Sequence, residues 1–287
     1  MGFANLGTIA DNADAGLGSV FSWRKTPSQT TLAGVWFDLS MSPGNPIPNY
    51  YASSPLVSAT LNGAEGMPHG GDVSPLTKHL SRFTVLSTSA APLPMPGRLL
   101  DYLLYYPFVD MGSTDTQALT NSTTLPRYTD GAGVQVMAVL TNPPSAPSGL
   151  TFTVSYTNSS GVSGRTATGA FGAGTVAGSI ATSDRAVAGT TGPFIRLQTG
   201  DTGVRSIESF AMVSGTDVGL ITLVLVKPLA QWSIRGIDAV VELEYLTMTG
   251  TMPRIVDGAY LGAICCPIGS LSSVAIHGLI QTTWGTD

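Results

Sequence analysis

Leu150-Thr151-Phe152-Thr153-Val154-Ser155-Tyr156-Thr157 alternates large apolar and small hydroxyl side chains without a break. Successive side chains of a strand point to opposite faces, so Leu150, Phe152, Val154 and Tyr156 share a buried face while the threonines and Ser155 line a wet one. Asn158-Ser159-Ser160-Gly161 follows as a turn, and residues 162–168 read as the return strand of a hairpin. Outward from this hairpin, residues 134–140, 194–198, 207–213, 220–226, 237–246, 259–266 and 274–281 are further strand candidates. Residues 220–226 are apolar on both faces and therefore central. In 237–245 the inward set is Ile237, Ala239, Val241, Leu243 and Tyr245, with Asp238, Glu242 and Glu244 outside. Short strands separated by Gly, Pro, Thr and Asp turns predict a mainly β chain with an antiparallel, jelly-roll-like β-sandwich over residues 117–287.

The N-terminal part reads differently. Residues 1–22 show neither period and are expected to form an extended arm. Residues 23–116 are expected to be an irregular β-containing region with one or two short helices. Its first strand falls in 31–39, where Val35 and Phe37 alternate with Trp36 and Asp38, and a proline-rich loop follows at 42–49. Ser74-Pro75 has the form of a helix start ahead of Leu76, Leu80 and Phe83. A second helix is predicted over 98–106, with Leu99, Leu100, Leu103 and Leu104 on one side and Pro107 as its stop. The glycine-rich stretch 169–192 is expected to be a flexible loop or an edge hairpin.

Composition narrows the function classes. Apolar residues make up 43% and charged ones 11%, against about a quarter charged in ordinary soluble domains. Residues 39–64 and 131–164 carry no charged side chain at all, so their backbone must pair in sheets or be buried. A net charge of −5 with three lysines and no basic run argues against phosphate binding, hence against a nucleic-acid partner. Residues 258–286 look apolar enough to span a membrane, but Gly262, Pro267 and Gly269 interrupt them, and two strands fit better. The N-terminus has no basic residue before Arg24 and no apolar core, so no secretory signal is expected. Cys265 and Cys266 are adjacent, point to opposite faces of a strand, and read as thiols in a protein made in a reducing cytoplasm.

Chemical motifs are weak throughout. Gly172-Ala173-Gly174-Thr175-Val176-Ala177 has dinucleotide-fingerprint lettering but lacks the strand and helix that give it meaning. Ser22-Trp23-Arg24-Lys25 has S-x-x-K spacing without the companion elements of that enzyme class. His69, Asp72 and His79 form the one cluster with ligand-type side chains, and a polar loop is the simpler reading. Glu242 and Glu244 share a strand face that reads as solvent rather than a glycosidase cleft. The expectation is therefore no catalytic residue, no cofactor and no metal.

Leu125-Pro126-Arg127-Tyr128-Thr129-Asp130-Gly131-Ala132-Gly133-Val134-Gln135, the stretch 151–166, and the run Arg98-Leu99-Leu100-Asp101-Tyr102-Leu103-Leu104-Tyr105-Tyr106-Pro107 resemble stretches of tailed-bacteriophage structural proteins. The likeness covers the middle of the chain. It implies a virion protein assembled in the host bacterial cytoplasm, either a capsid cement or decoration protein or a minor capsid component, whose partners are the major capsid protein and copies of itself, commonly as a homotrimer. A tail tube or a receptor- or carbohydrate-binding tail protein is the alternative. Aromatics are enriched and Lys and Glu depleted at interfaces. Trp23, Trp36, Tyr50, Tyr51, Tyr105 and Tyr106 are accordingly the expected contact residues.

Overall fold

The computed structural model describes residues 6–174, 176–246 and 252–286. The fold is mainly β, and every paired strand in it is antiparallel. One short helix, α1 (Leu6–Asp14), precedes β1 (Gly18–Lys25). The central sheet runs β2 (Phe37–Asp38), β15 (Tyr260–Cys265), β6 (Met95–Asp110), β12 (Leu220–Ile234), β8 (Gln135–Asn142), with β4 (Ala59–Thr60) also on β6. A second sheet runs β13 (Val241–Glu244), β5 (Thr77–Ser87), β16 (Ile276–Gly285), β1, β3 (Gly44–Asn45), with β14 (Arg254–Ile255) beside β5. The third runs β10 (Arg165–Ala170), β9 (Thr151–Asn158), β11 (Val204–Met212), β7 (Gln117–Ala118).

The long strands β6 and β12 decide the architecture, because one face of their sheet serves two cores in succession. Met95, Leu99, Trp232, Ile234, Leu261 and Ala263 pack against Trp23, Leu80, Phe83 and Ile280 of the second sheet. Further along the same ribbon, Val109, Val136, Ala138, Leu223 and Leu225 pack against Phe152, Val154, Tyr156 and Phe210 of the third. The second and third sheets thus lie end to end on one side of the central sheet, a sandwich with a divided upper layer. The opposite face, with Leu100, Tyr102, Val139, Val224 and Tyr260, is covered by loops carrying Tyr51 and Ile180.

Residues 178–181 tie the two edges of the central sheet together. On one side the Leu140 and Ala181 amides donate to the carbonyls of Ser179 and Ala138; on the other the Ile180 and Asp38 amides donate to those of Trp36 and Gly178. The glycine-rich stretch is therefore pinned here rather than free. Gly178, at φ +93°, lies under the Phe37 ring, where a Cβ would meet ring carbons at 2.7 Å.

The hairpin of β9 and β10 forms, with Asn158 and Gly161 in its turn, but its return strand starts at Arg165, three residues later than expected, and pairs Arg165 with Tyr156. Three expectations are corrected. Residues 1–22 are not an extended arm where they are described: 6–14 are helical and β1 pairs with β16 along its whole length, while 1–5 lie outside the described residues. Ile9, Ala10 and Ala13 supply a short helical stripe that the Gly, Asn and Asp content obscures. The helices predicted from Ser74 and over 98–106 are instead the strands β5 and β6. In β6 both faces are buried, Leu99 toward the second sheet and Leu100 and Tyr102 toward the loops, and a continuous apolar run looks the same in a buried strand as in a buried helix. Nor do the sheets divide at residue 116: the central sheet joins β6 to β8, β12 and β15, and the second joins β1 and β5 to β16.

Candidate functional site

Most of the ionisable chemistry inside the protein is organised around loops. Asp38 caps a turn of 3-10 helix at Leu39–Met41, its Oδ1 accepting from the Ser40 amide at 2.9 Å. The same carboxylate accepts from the Tyr102 hydroxyl at 2.7 Å and from the Tyr51 hydroxyl. Burial pushes its pKa up, and these donors pull against that shift. Next to it, the Lys25 ammonium donates to the carbonyls of Ser42 (3.0 Å) and Pro46 (2.9 Å), with Ser40 and Ile47 at 3.3 and 3.4 Å. Desolvation lowers the Lys25 pKa to about 8, partly offset by the Asp38 charge. Together they fasten the uncharged loop 39–49 to β1 and β6.

A second centre joins Asp101 on β6 to Arg127, whose Nε and Nη2 donate to the two carboxylate oxygens at 2.9 and 2.7 Å. Nη2 also reaches the Tyr102 carbonyl at 3.0 Å, and the Tyr260 amide donates to Asp101 at 3.2 Å. Both side chains are buried. The fork geometry of a guanidinium on a carboxylate gives this pair its directionality.

Lys78 on β5 donates to His69 Nδ1 at 3.0 Å and to the Gly71 carbonyl, and His69 Nε2 is 3.0 Å from the Ala259 carbonyl. A carbonyl at Nε2 fixes the proton there and leaves Nδ1 to accept from the ammonium. Burial and the Lys78 charge both lower the His69 pKa. Asp72 accepts the Gly258 amide and Asp257 those of Val73 and Ser74. His69 and Asp72 are thus each engaged by their own neighbours, with the Lys78 ammonium at His69 Nδ1. Among the described residues no three His, Cys, Asp or Glu side chains converge as a metal set.

In the third sheet Asp201 accepts from Arg165 Nε (2.9 Å), Asn158 Nδ2 (2.7 Å) and the Tyr156 hydroxyl (2.5 Å). These donors, Arg165 first, hold its pKa down at about 2. Glu208 accepts from Ser155, Thr157 and the Gly164 amide. Glu242 pairs with Arg82 across two half-exposed side chains at 3.0 Å, and Glu244 accepts the Leu246 amide. Cys265 is buried and Cys266 half-buried, both as free thiols.

Of the six aromatics expected at an interface, four are inside. Trp23 stacks on Phe83 at 5.8 Å, Tyr51 packs on Tyr105 at 5.4 Å, and Tyr106 donates to Asn121 at 2.5 Å; Trp23, Tyr51, Tyr105 and Tyr106 are buried. Tyr50 is 63% exposed, and Trp36 is half-buried with the Arg98 guanidinium 5.8 Å from its ring. Large aromatics in a chain poor in charge are drawn first to its own core.

The sequence reading missed Lys25, Asp38, Lys78, Asp101 and Arg127. Asp101 carried a signal: a single carboxylate within Leu99-Leu100-Asp101-Tyr102-Leu103-Leu104 demands a buried partner wherever that run is buried. In comparisons with known proteins, no family model matches the chain and no curated protein matches it.

Proposed function

We propose that this protein is a non-enzymatic structural component of a tailed-bacteriophage virion, a capsid cement or decoration protein or a minor capsid component that stabilises the shell through contacts with the major capsid protein and with copies of itself. The observation that supports this reading best is how the buried charges are used. Lys25 and Asp38 hold loop 39–49, and Arg127 and Asp101 hold the segment before β8 onto β6. Lys78 and His69 hold the loop ahead of β5. Such charges stiffen loops and present fixed surfaces rather than poised reactive groups. The likeness of 98–107, 125–135 and 151–166 to phage structural proteins points the same way, and so does the outer face of the second sheet, where Val20, Val240 and Leu279 stand exposed.

The test is size-exclusion chromatography with light scattering on the protein alone and after mixing with capsid shells of the phage that encodes it. A discrete oligomer, expected to be a trimer, that co-elutes with shells and raises their melting temperature supports the proposal. Failure to bind shells, with a ring or open polymer formed by the protein alone, overturns it in favour of a tail component.

A further inference from the structure

Where the outer ends of β6 and β12 meet β13, the surface sinks into a cavity of about 500 Å³. Its charged groups are Arg98 and Arg235, and no Asp or Glu lines it. Neither arginine belongs to an ion pair among the described residues. The nearest acid in sequence on β13, Glu242, is turned to the other side of the strand and held by Arg82. Two unmatched guanidiniums thus share one concavity in a protein whose net charge is −5, and a cleft of one sign focuses its field on a ligand of the other.

Arg98 is also held in place. Its guanidinium carbon lies over the Trp36 ring, 5.8 Å from the centroid, and over that of Phe194, 5.4 Å from the centroid, so two aromatic faces adjoin it. That stacking costs the guanidinium little of its hydrogen-bonding capacity, because its N–H groups point outward in the ring plane. The rest of the lining is of two kinds: neutral hydrogen-bonding side chains, Gln231 and Ser233, and apolar surface from Trp36, Val241 and Leu243. A bare inorganic anion would use the arginines and leave the remainder idle. A sugar ring bearing a carboxylate uses all three, with its charge on the guanidiniums, its hydroxyls on the amide and serine, and its C–H face on the indole. The volume falls within the range of small-molecule sites, about 300–1,000 Å³.

We infer that this cavity binds an acidic sugar, a hexuronate unit of an anionic polysaccharide, with Arg98 and Arg235 on its carboxylate. The inference does not depend on the virion reading, and the two assays fail separately.

The experiment is isothermal titration of the intact protein with trigalacturonate, its uncharged methyl ester, and inorganic sulfate. Saturable binding of trigalacturonate is expected, weakened about tenfold or more in the methyl ester and in sulfate, since charge-assisted bidentate contacts are the strong ones. Arg235 is exposed, so Arg235→Gln should fold normally and lose about tenfold or more in affinity; Arg98→Lys, which keeps the charge but not the fork, should lose a similar factor. Glu242→Gln, outside the cavity, should bind as the parent does. Absence of trigalacturonate binding, equal binding of the ester or of sulfate, or unchanged affinity in Arg235→Gln would each overturn the assignment.

Discussion

Replacing Arg127 by alanine should be among the most damaging single changes outside the apolar core. The substitution leaves the Asp101 carboxylate, whose side chain is fully buried, with the Tyr260 amide at 3.2 Å as its remaining donor, and strips the Tyr102 carbonyl of its contact with Nη2. Breaking a buried ion pair from one side costs about 3–5 kcal/mol, because the surviving charge stays desolvated. At about 2–4 °C per kcal/mol for a chain of this size class, the melting temperature should fall by roughly 6–20 °C. Urea unfolding of the parent, Arg127→Ala, Asp101→Asn and the double variant Asp101→Asn/Arg127→Ala gives the magnitude and the coupling. The double variant, with no charge left to bury, should cost less than the summed single losses, with a coupling of about 2 kcal/mol or more. A loss below about 1 kcal/mol for Arg127→Ala, or strict additivity, would show that the pair is not what holds this segment to β6.

Lys25→Met should cost about 1–3 kcal/mol by leaving buried carbonyls of loop 39–49 without a donor, and limited proteolysis should then cut within that loop; resistance equal to the parent's would refute the role given to Lys25. Asp201, depressed to about 2 by Arg165 and Tyr156, contributes stability that is fully present above its unfolded pKa of about 3.9 and is lost as pH falls toward 2. Asp201→Asn should therefore be less stable than the parent at pH 7, with the gap closing between pH 4 and 2; a gap independent of pH counts against this. Gly278→Ala would place a Cβ 1.8 Å from the Thr84 carbonyl oxygen, so β16 must move off β5. A loss of about 1–3 kcal/mol or more in chemical denaturation is expected, and a neutral result would mean that the two strands are not so closely set.

Local pattern carried β9, whose buried and half-buried side chains alternate, while β8, β12 and β15 are buried along both faces and were legible as short apolar runs between turn residues; the strand expected at 194–198 does not form. Pattern failed at β6, where Leu99, Leu100, Leu103 and Leu104 are all buried and the period vanishes. Ser74-Pro75 misled for a different reason: the Ser74 amide is bound by Asp257, 183 residues away, so the turn there belongs to a tertiary contact rather than to a helix. The polar centres were harder still. Lys25 is satisfied largely by backbone carbonyls, which leave no mark in the sequence, and Asp101 finds Arg127 only after β6 and the segment before β8 have been brought together. The aromatics were read correctly as contact-makers but assigned to another molecule, when Trp23, Tyr51 and Tyr106 make their contacts within this one.

The segment 178–181, by occupying both margins of the central sheet, also governs how copies of this protein behave when crowded. An open sheet margin is a template on which a second chain can add a strand, and repetition of that step leads to strand exchange and fibres. Here the longest sheet offers little such template along β2 and β8. Among the described residues the other two sheets end on four residues at β13 and six at β10, while β3 and β7 pair with only two residues each of β1 and β11 and leave Gly18–Trp23 and Val204–Glu208 along the margin. Strand addition is therefore blocked along β2 and β8 of the central sheet, and backbone pairing between copies would have to use the margins of the other two sheets.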